Sequence, residues 1–144
     1  MPEQVQDLGQ LAARLSRLAG EGMPSTQVAE VVVGAWAQID AALTPVVGRR
    51  AVAMLHQRSL FLTAAAHRWL SETTEGLPET MDLDGLSVLL AQQTSVDAAA
   101  GGGASLQTFQ ELLASLVGSP LTERLLRSVW ANSLSGPAAK DTPP

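Results

Sequence analysis

An all-α fold, a single-domain bundle of about six helices with a long central third helix, is what this 144-residue sequence predicts. Three observations carry it. The 46% hydrophobic content is mostly Ala, Leu and Val, with three Trp, two Phe and no Tyr, and Ala and Leu head the helix-propensity scale. Strand-favouring residues are concentrated in Val28–Val33 alone. Apolar positions recur at helical spacing through nearly the whole chain. Residues 1–135 read as one domain and 136–144 as a flexible tail.

Leu8, Leu11, Leu15 and Leu18 form a narrow 3-4-3 seam on a first helix, about Glu3 to Ala19. A seam this narrow suits another helix, including one from a second copy of the chain. Gly20-Glu21-Gly22-Met23-Pro24 ends it, and Ser25 or Thr26 opens a second helix presenting Val28, Val31, Val32, Ala35, Trp36, Ile39 and Leu43. Thr44-Pro45 reads as a cap and first-turn proline. A third helix is then expected from about Gly48 to Leu70, with the stripe Val52, Leu55, Ser59, Leu62, Ala66 and Trp69 inward. Ser71 to Thr80 reads as a loop, and Asp82 as the cap of a fourth helix carrying Leu83, Leu86, Leu89 and Leu90. Between Ser95 and Ala104 lies AAAGGGA, where each glycine weakens a helix by roughly 1 kcal/mol relative to alanine, so a break is expected. A fifth helix is predicted over Ser105–Val117. After Gly118-Ser119-Pro120 a sixth buries Leu121, Leu125, Val129 and Trp130 and ends near Leu134. Thr44–Trp69 and Ser119–Trp130 each pair a turn proline with an Arg-bearing helix ending in Trp, a correspondence too loose for a duplication.

Composition bounds the function. A net charge of −5 argues against a general nucleic-acid binder, and the absence of cysteine excludes disulfides, thiolate chemistry and Cys-based metal sites. The N-terminus lacks the basic-then-apolar pattern of a signal peptide, and no apolar run is expected to approach the roughly 20 residues of a membrane span. The expectation is a cytoplasmic protein without membrane or nucleic-acid partners, and one Lys beside eight Arg in an Ala-rich chain suggests a bacterial, high-GC source.

Both histidines, His56 and His67, fall in LHQRSLFLTAAAH. On a helical wheel Thr63, Arg49 and His67 lie within about 20° of His56, placing a polar stripe at the border of the expected buried face, with Arg50 further into solvent. The two histidines would stand about 16 Å apart along the axis, too far to share one metal ion, and the spacing of four found in HExxH is absent. His56-Gln57-Arg58-Ser59-Leu60 superficially resembles the histidine-kinase H-box but is one residue short and lacks its proline. The helical phosphotransfer pattern fails as well, with Ser59 and Leu60 where it has Lys and Gly. No GxSxG, GK[ST] or GxGxxG is present, and a globin-like haem pocket lacks its later histidine. Asp82/Asp84 and Glu72/Glu75 are explained by capping and solubility.

The expectation is therefore no enzyme, no cofactor and no metal. Thr44–Leu70 holds four Arg and no acid, whereas Ser71–Ala104 holds six acids and no base. These segments either neutralise one another within the fold or form two surfaces of opposite sign suited to association. The leading reading is a small regulatory or adaptor protein acting through protein–protein contacts, as a homodimer, in bacterial signalling. The alternative is a sensory domain that binds a small anionic or apolar ligand in a cleft lined by Trp36, Trp69 and the histidine stripe. Arg49, Arg50, His56, Thr63 and His67 are the candidate partner- or ligand-binding residues.

Overall fold

The structure, a computed structural model, describes residues 3–73 and 82–140, with side-chain surroundings for 8–70 and 82–130. Six α-helices and one 3₁₀ segment account for all regular structure among the described residues: α1 (Glu3–Gly20), α2 (Ser25–Val47), α3 (Arg49–Thr63), the 3₁₀ segment (Arg68–Thr73), α4 (Leu83–Ala91), α5 (Ser95–Val117) and α6 (Ser119–Lys140). The all-α expectation holds. Most of the loop expected at Ser71 to Thr80 lies outside the described residues.

The leucine seam of α1 is buried by the chain's own α5 and α6, with Leu11 and Leu15 each 1% exposed, so it is not available to a second copy. The helix closes where glycine permits: Gly22 has φ 106, its N–H reaches the Ala19 carbonyl, and the Met23 N–H reaches that of Leu18 at 2.9 Å. These two bonds are a Schellman closure, and Met23 packs on the core behind it.

Thr44-Pro45 does not break α2. Proline removes one N–H, but the carbonyl that loses it belongs to exposed Ala41, where water can serve it, and the Thr44 hydroxyl donates to Asp40 at 2.8 Å. The stop comes at Gly48 (φ 94), a one-residue joint between α2 and α3. By length and composition α2 is the one helix among the described residues that could cross a membrane. In this fold α4, α5 and α6 pack on it, and Val28, Ala29, Val32, Ala35, Trp36, Ile39 and Leu43 are buried.

The break expected at AAAGGGA is also absent: α5 runs unbroken through Gly101, Gly102 and Gly103, all buried. The physical reason is close helix packing. A Cβ on Gly101 would lie 2.5 Å from the Trp69 ring, and one on Gly102 would lie 2.6 Å from Val32 of α2. The low propensity of the three glycines is offset by the approach they allow.

The two halves of the chain repeat one another. Ser25–Val47 followed by Gly48 and Ser95–Val117 followed by Gly118 are both 23-residue helices stopped by a glycine, at φ 94 and φ 91, and they start 70 residues apart (95 − 25). The buried residues of α2 map at that offset onto Ala98, Ala99, Gly102, Ser105, Leu106, Phe109 and Leu113 of α5, all buried. Packing exchanges in the same way. α4 lies on α2 as α1 lies on α5, α6 lies on α2 as α3 lies on α5, and α2 crosses α5. Each half thus packs its first helix on the other half, the arrangement of an approximate two-fold. Departures occur at the edges, where α1 also follows α6 while α4 meets the 3₁₀ segment. Trp69 and Trp130, the landmarks that suggested a loose repeat, are not equivalent: Trp130 corresponds to Leu60.

Candidate functional site

Helix α3 is turned by roughly 90° from the orientation its sequence predicts. Its buried residues are Val52, Ala53, His56, Ser59, Leu60 and Thr63, a face centred on His56. The expected stripe is only partly inward, since Leu62 is 39% exposed and Leu55 half-buried. Small Ala53 and Ser59 let the helix approach α5 and α2, and Thr63 meets the Thr108 hydroxyl of α5 at 3.3 Å. The Ser59 and Thr63 hydroxyls donate to the carbonyls of Leu55 and Ser59, both at 2.7 Å, so neither is buried without a partner.

The helix also ends early, at Thr63 and not near Leu70. Continued helically, Trp69 would point about 120° away from Thr63 and miss α5. The chain instead turns through Ala64–His67 and lays Trp69 on Gly101, on the same side of α5 that Thr108 occupies. Among the five candidate binding residues, Arg49 and Arg50 are exposed, His67 is half-buried beyond the helix end, and His56 and Thr63 are interior. They do not form one surface. Nor do Trp36 and Trp69 line a common cleft: Trp36 is in the core with His56 and Phe109, while Trp69 stands beside His67 at a ring separation of 6.5 Å.

The surface that α3 does present lies opposite His56. Met54 is 54% exposed and Phe61 55%, with Leu62 at one edge, Arg58 between Met54 and Leu62, and Arg50 at the other edge. The Arg58 guanidinium lies 5.7 Å from the Phe61 ring centroid, capping the apolar patch with positive charge. The helix thus buries a histidine, a serine and a threonine beside Val52, Ala53 and Leu60, while a methionine, a phenylalanine and a leucine are left exposed. Its equivalent in the second half has fewer large apolar residues on its outer side, with Leu121 at 38% exposure. α6 buries Thr122, Leu126, Val129 and Trp130 and exposes Arg124, Arg127 and Ser128, one residue out of phase with the expected Leu121 and Leu125. Arg124 occupies the place of Met54, and Ser128 that of Arg58. Only the amphipathic pattern, weighed against a second copy of the same unit, could have exposed this in sequence.

On the inner side, His56 is 4% exposed, and its ring stands edge-on to Trp36 at a centroid distance of 4.4 Å. His56 Nε2 and Trp36 Nε1 are both buried without a hydrogen-bond partner. Burial holds the imidazole pKa down, from 6.5 to about 4, against the opposing pull of Asp82 and Asp40. The second half again differs, because Trp130 Nε1 donates to Gln110 Oε1 at 3.0 Å.

Among the residues with described side chains the charge segregation is not met by internal pairing; Glu72, Glu75 and Glu79 lie outside them. Among the described residues the one ion pair is Arg17–Glu21, 4.0 Å apart and exposed on α1. Asp82 accepts from the Gly85 N–H at 3.0 Å and caps α4 as expected, while Asp84 and Asp97 are exposed near the starts of α4 and α5, beside exposed Val88 and Val96. Among the described residues no group of three His, Cys, Asp or Glu side chains is placed to hold a metal ion. No family model matches the chain, and no curated protein or solved structure matches it.

Proposed function

We propose that this chain is a cytoplasmic regulatory or adaptor protein of bacterial signalling that works through protein–protein contact, and that the outer face of α3 is its docking surface. The large apolar side chains exposed on α3 carry the reading. Exposing Met54, Phe61 and Leu62 while burying His56, Ser59 and Thr63 forgoes burial that the same helix could have made, and α6 carries an arginine, Arg124, at the position of Met54.

The occupant we assign is a second copy of the chain. The face is apolar with Arg50 and Arg58, and the same molecule carries its complement, Val88 and Val96 with Asp84 and Asp97. Mutually complementary patches on one chain suit association of two copies, in which each copy offers both.

Sedimentation equilibrium on the wild type and on a Met54→Glu/Phe61→Glu variant tests this. The expected result is a dimer that weakens with salt and a variant that is monomeric with unchanged helix content. A wild type that stays monomeric across the concentration range, or a variant that still dimerises, refutes the assignment.

A further inference from the structure

The inner side of α3 is as anomalous as the outer. His56 and Trp36 bury two nitrogens without partners, yet the equivalent positions in the second half are Leu126 and Leu106, both fully buried. The fold accepts leucine at both places, so packing alone requires neither the imidazole nor the indole. Helix α3 joins α2 through Gly48 alone, whose φ of 94 is a conformation that glycine adopts without strain. A short helix on a single-residue joint, holding a titratable ring in the core, has the parts of a switch.

We propose that His56 is a proton-operated latch on α3: neutral, it seats the helix against Trp36, and protonated, it lifts α3 off the core about Gly48 and takes the docking face with it. The inference rests on the reading of that face, because it is the regulation of the same surface. The charges of Asp82 and Asp40 favour an imidazolium at His56, but neither carboxylate bonds its Nε2, and burial outweighs their pull. Asp40 of α2 already accepts from Thr44, and Asp82 already caps α4. On the elements packed against α3, Glu30 of α2, Asp97 and Glu111 of α5 and Arg68 of the 3₁₀ segment are exposed, and α5 adds Phe109 behind Trp36. Water is the better solvent for the charge, and lifting α3 is the local way to reach it.

Amide hydrogen exchange on the full chain at pH 7.5 and pH 5, corrected for intrinsic rates, tests the latch. A ring that titrates at 6.5 when exposed and near 4 in place favours the lifted form about 25-fold more at the lower pH. The wild type should lose about that much protection in α3 relative to α2 and α5, and His56→Leu, which installs the residue of the equivalent position, should abolish the loss. Should His56→Leu not fold, His56→Gln serves the same purpose. A loss shared equally by all helices, or one that survives in the histidine variants, overturns the proposal. The Met54→Glu/Phe61→Glu variant separates the two readings: the latch predicts the same loss in α3 there, even if the outer face docks nothing.

Discussion

Replacing single glycines by alanine along the two long helices should give effects of opposite sign, and the structure fixes which is which. Gly34 of α2 has nothing within 4 Å of an added Cβ, so Gly34→Ala gains helix propensity alone, about 1 kcal/mol. Gly102 of α5 gains the same propensity but brings its Cβ to 2.6 Å from Cγ2 of Val32, a short, branched and fully buried side chain that cannot swing aside. Overpacking of this kind costs about 1–3 kcal/mol and outweighs the gain, leaving Gly102→Ala destabilised by about 1 kcal/mol. With an unfolding entropy of about 2.1 cal/mol/K per residue, 1 kcal/mol moves the Tm of this 144-residue chain by about 3 °C. Thermal melts followed by circular dichroism should therefore place Gly34→Ala about 3 °C above the wild type and Gly102→Ala about 3 °C below it. Gly103→Ala meets Ala12 at an ordinary 3.5 Å and should behave like Gly34→Ala. If Gly102→Ala stabilises the chain as much as Gly34→Ala, the close crossing of α2 and α5 is wrong.

Other positions give independent checks. His56 takes up a proton at 6.5 when unfolded and near 4 when folded, so the unfolded state binds more protons between those values; stability present above pH 6.5 should fall by about 3 kcal/mol as pH approaches 4, read by urea melts, and His56→Leu should remove that component. Gln110→Leu leaves the indole N–H of Trp130 buried without its acceptor and should lower stability by about 1–3 kcal/mol in the same melts, whereas an unchanged midpoint contradicts the pairing. Asp82→Ala removes the cap of α4 and should cost about 1 kcal/mol, with hydrogen exchange locating the loss at the start of that helix.

Much of the fold was legible in the chain because propensity and tertiary packing agree in α1, α2 and α4, where leucine and valine spacing gave the buried face directly. The misreadings came where packing overrode a local signal. Three glycines look like a break until Trp69 and Val32 are seen pressed against Gly101 and Gly102. Pro45 looks like a helix start, but the glycine three residues later sets the boundary. The candidate site was misread for a related reason: hydrophobicity points Leu55, Leu62, Ala66 and Trp69 inward, whereas close approach to α5 selects the small and polar side of α3. The helical wheel alone could not reveal that conflict without the equivalent α6 for comparison.

The absence of cysteine from the chain makes the central claim directly measurable. A single Met54→Cys, spin-labelled, reports on the outer face of α3, and Arg124→Cys reports on the equivalent position of α6. Both sites are exposed, so in a monomer both labels move freely. If the α3 face docks a second copy, the label at position 54 becomes immobilised as protein concentration rises while the label at 124 stays mobile. Equal mobility of the two labels at every concentration would contradict the account.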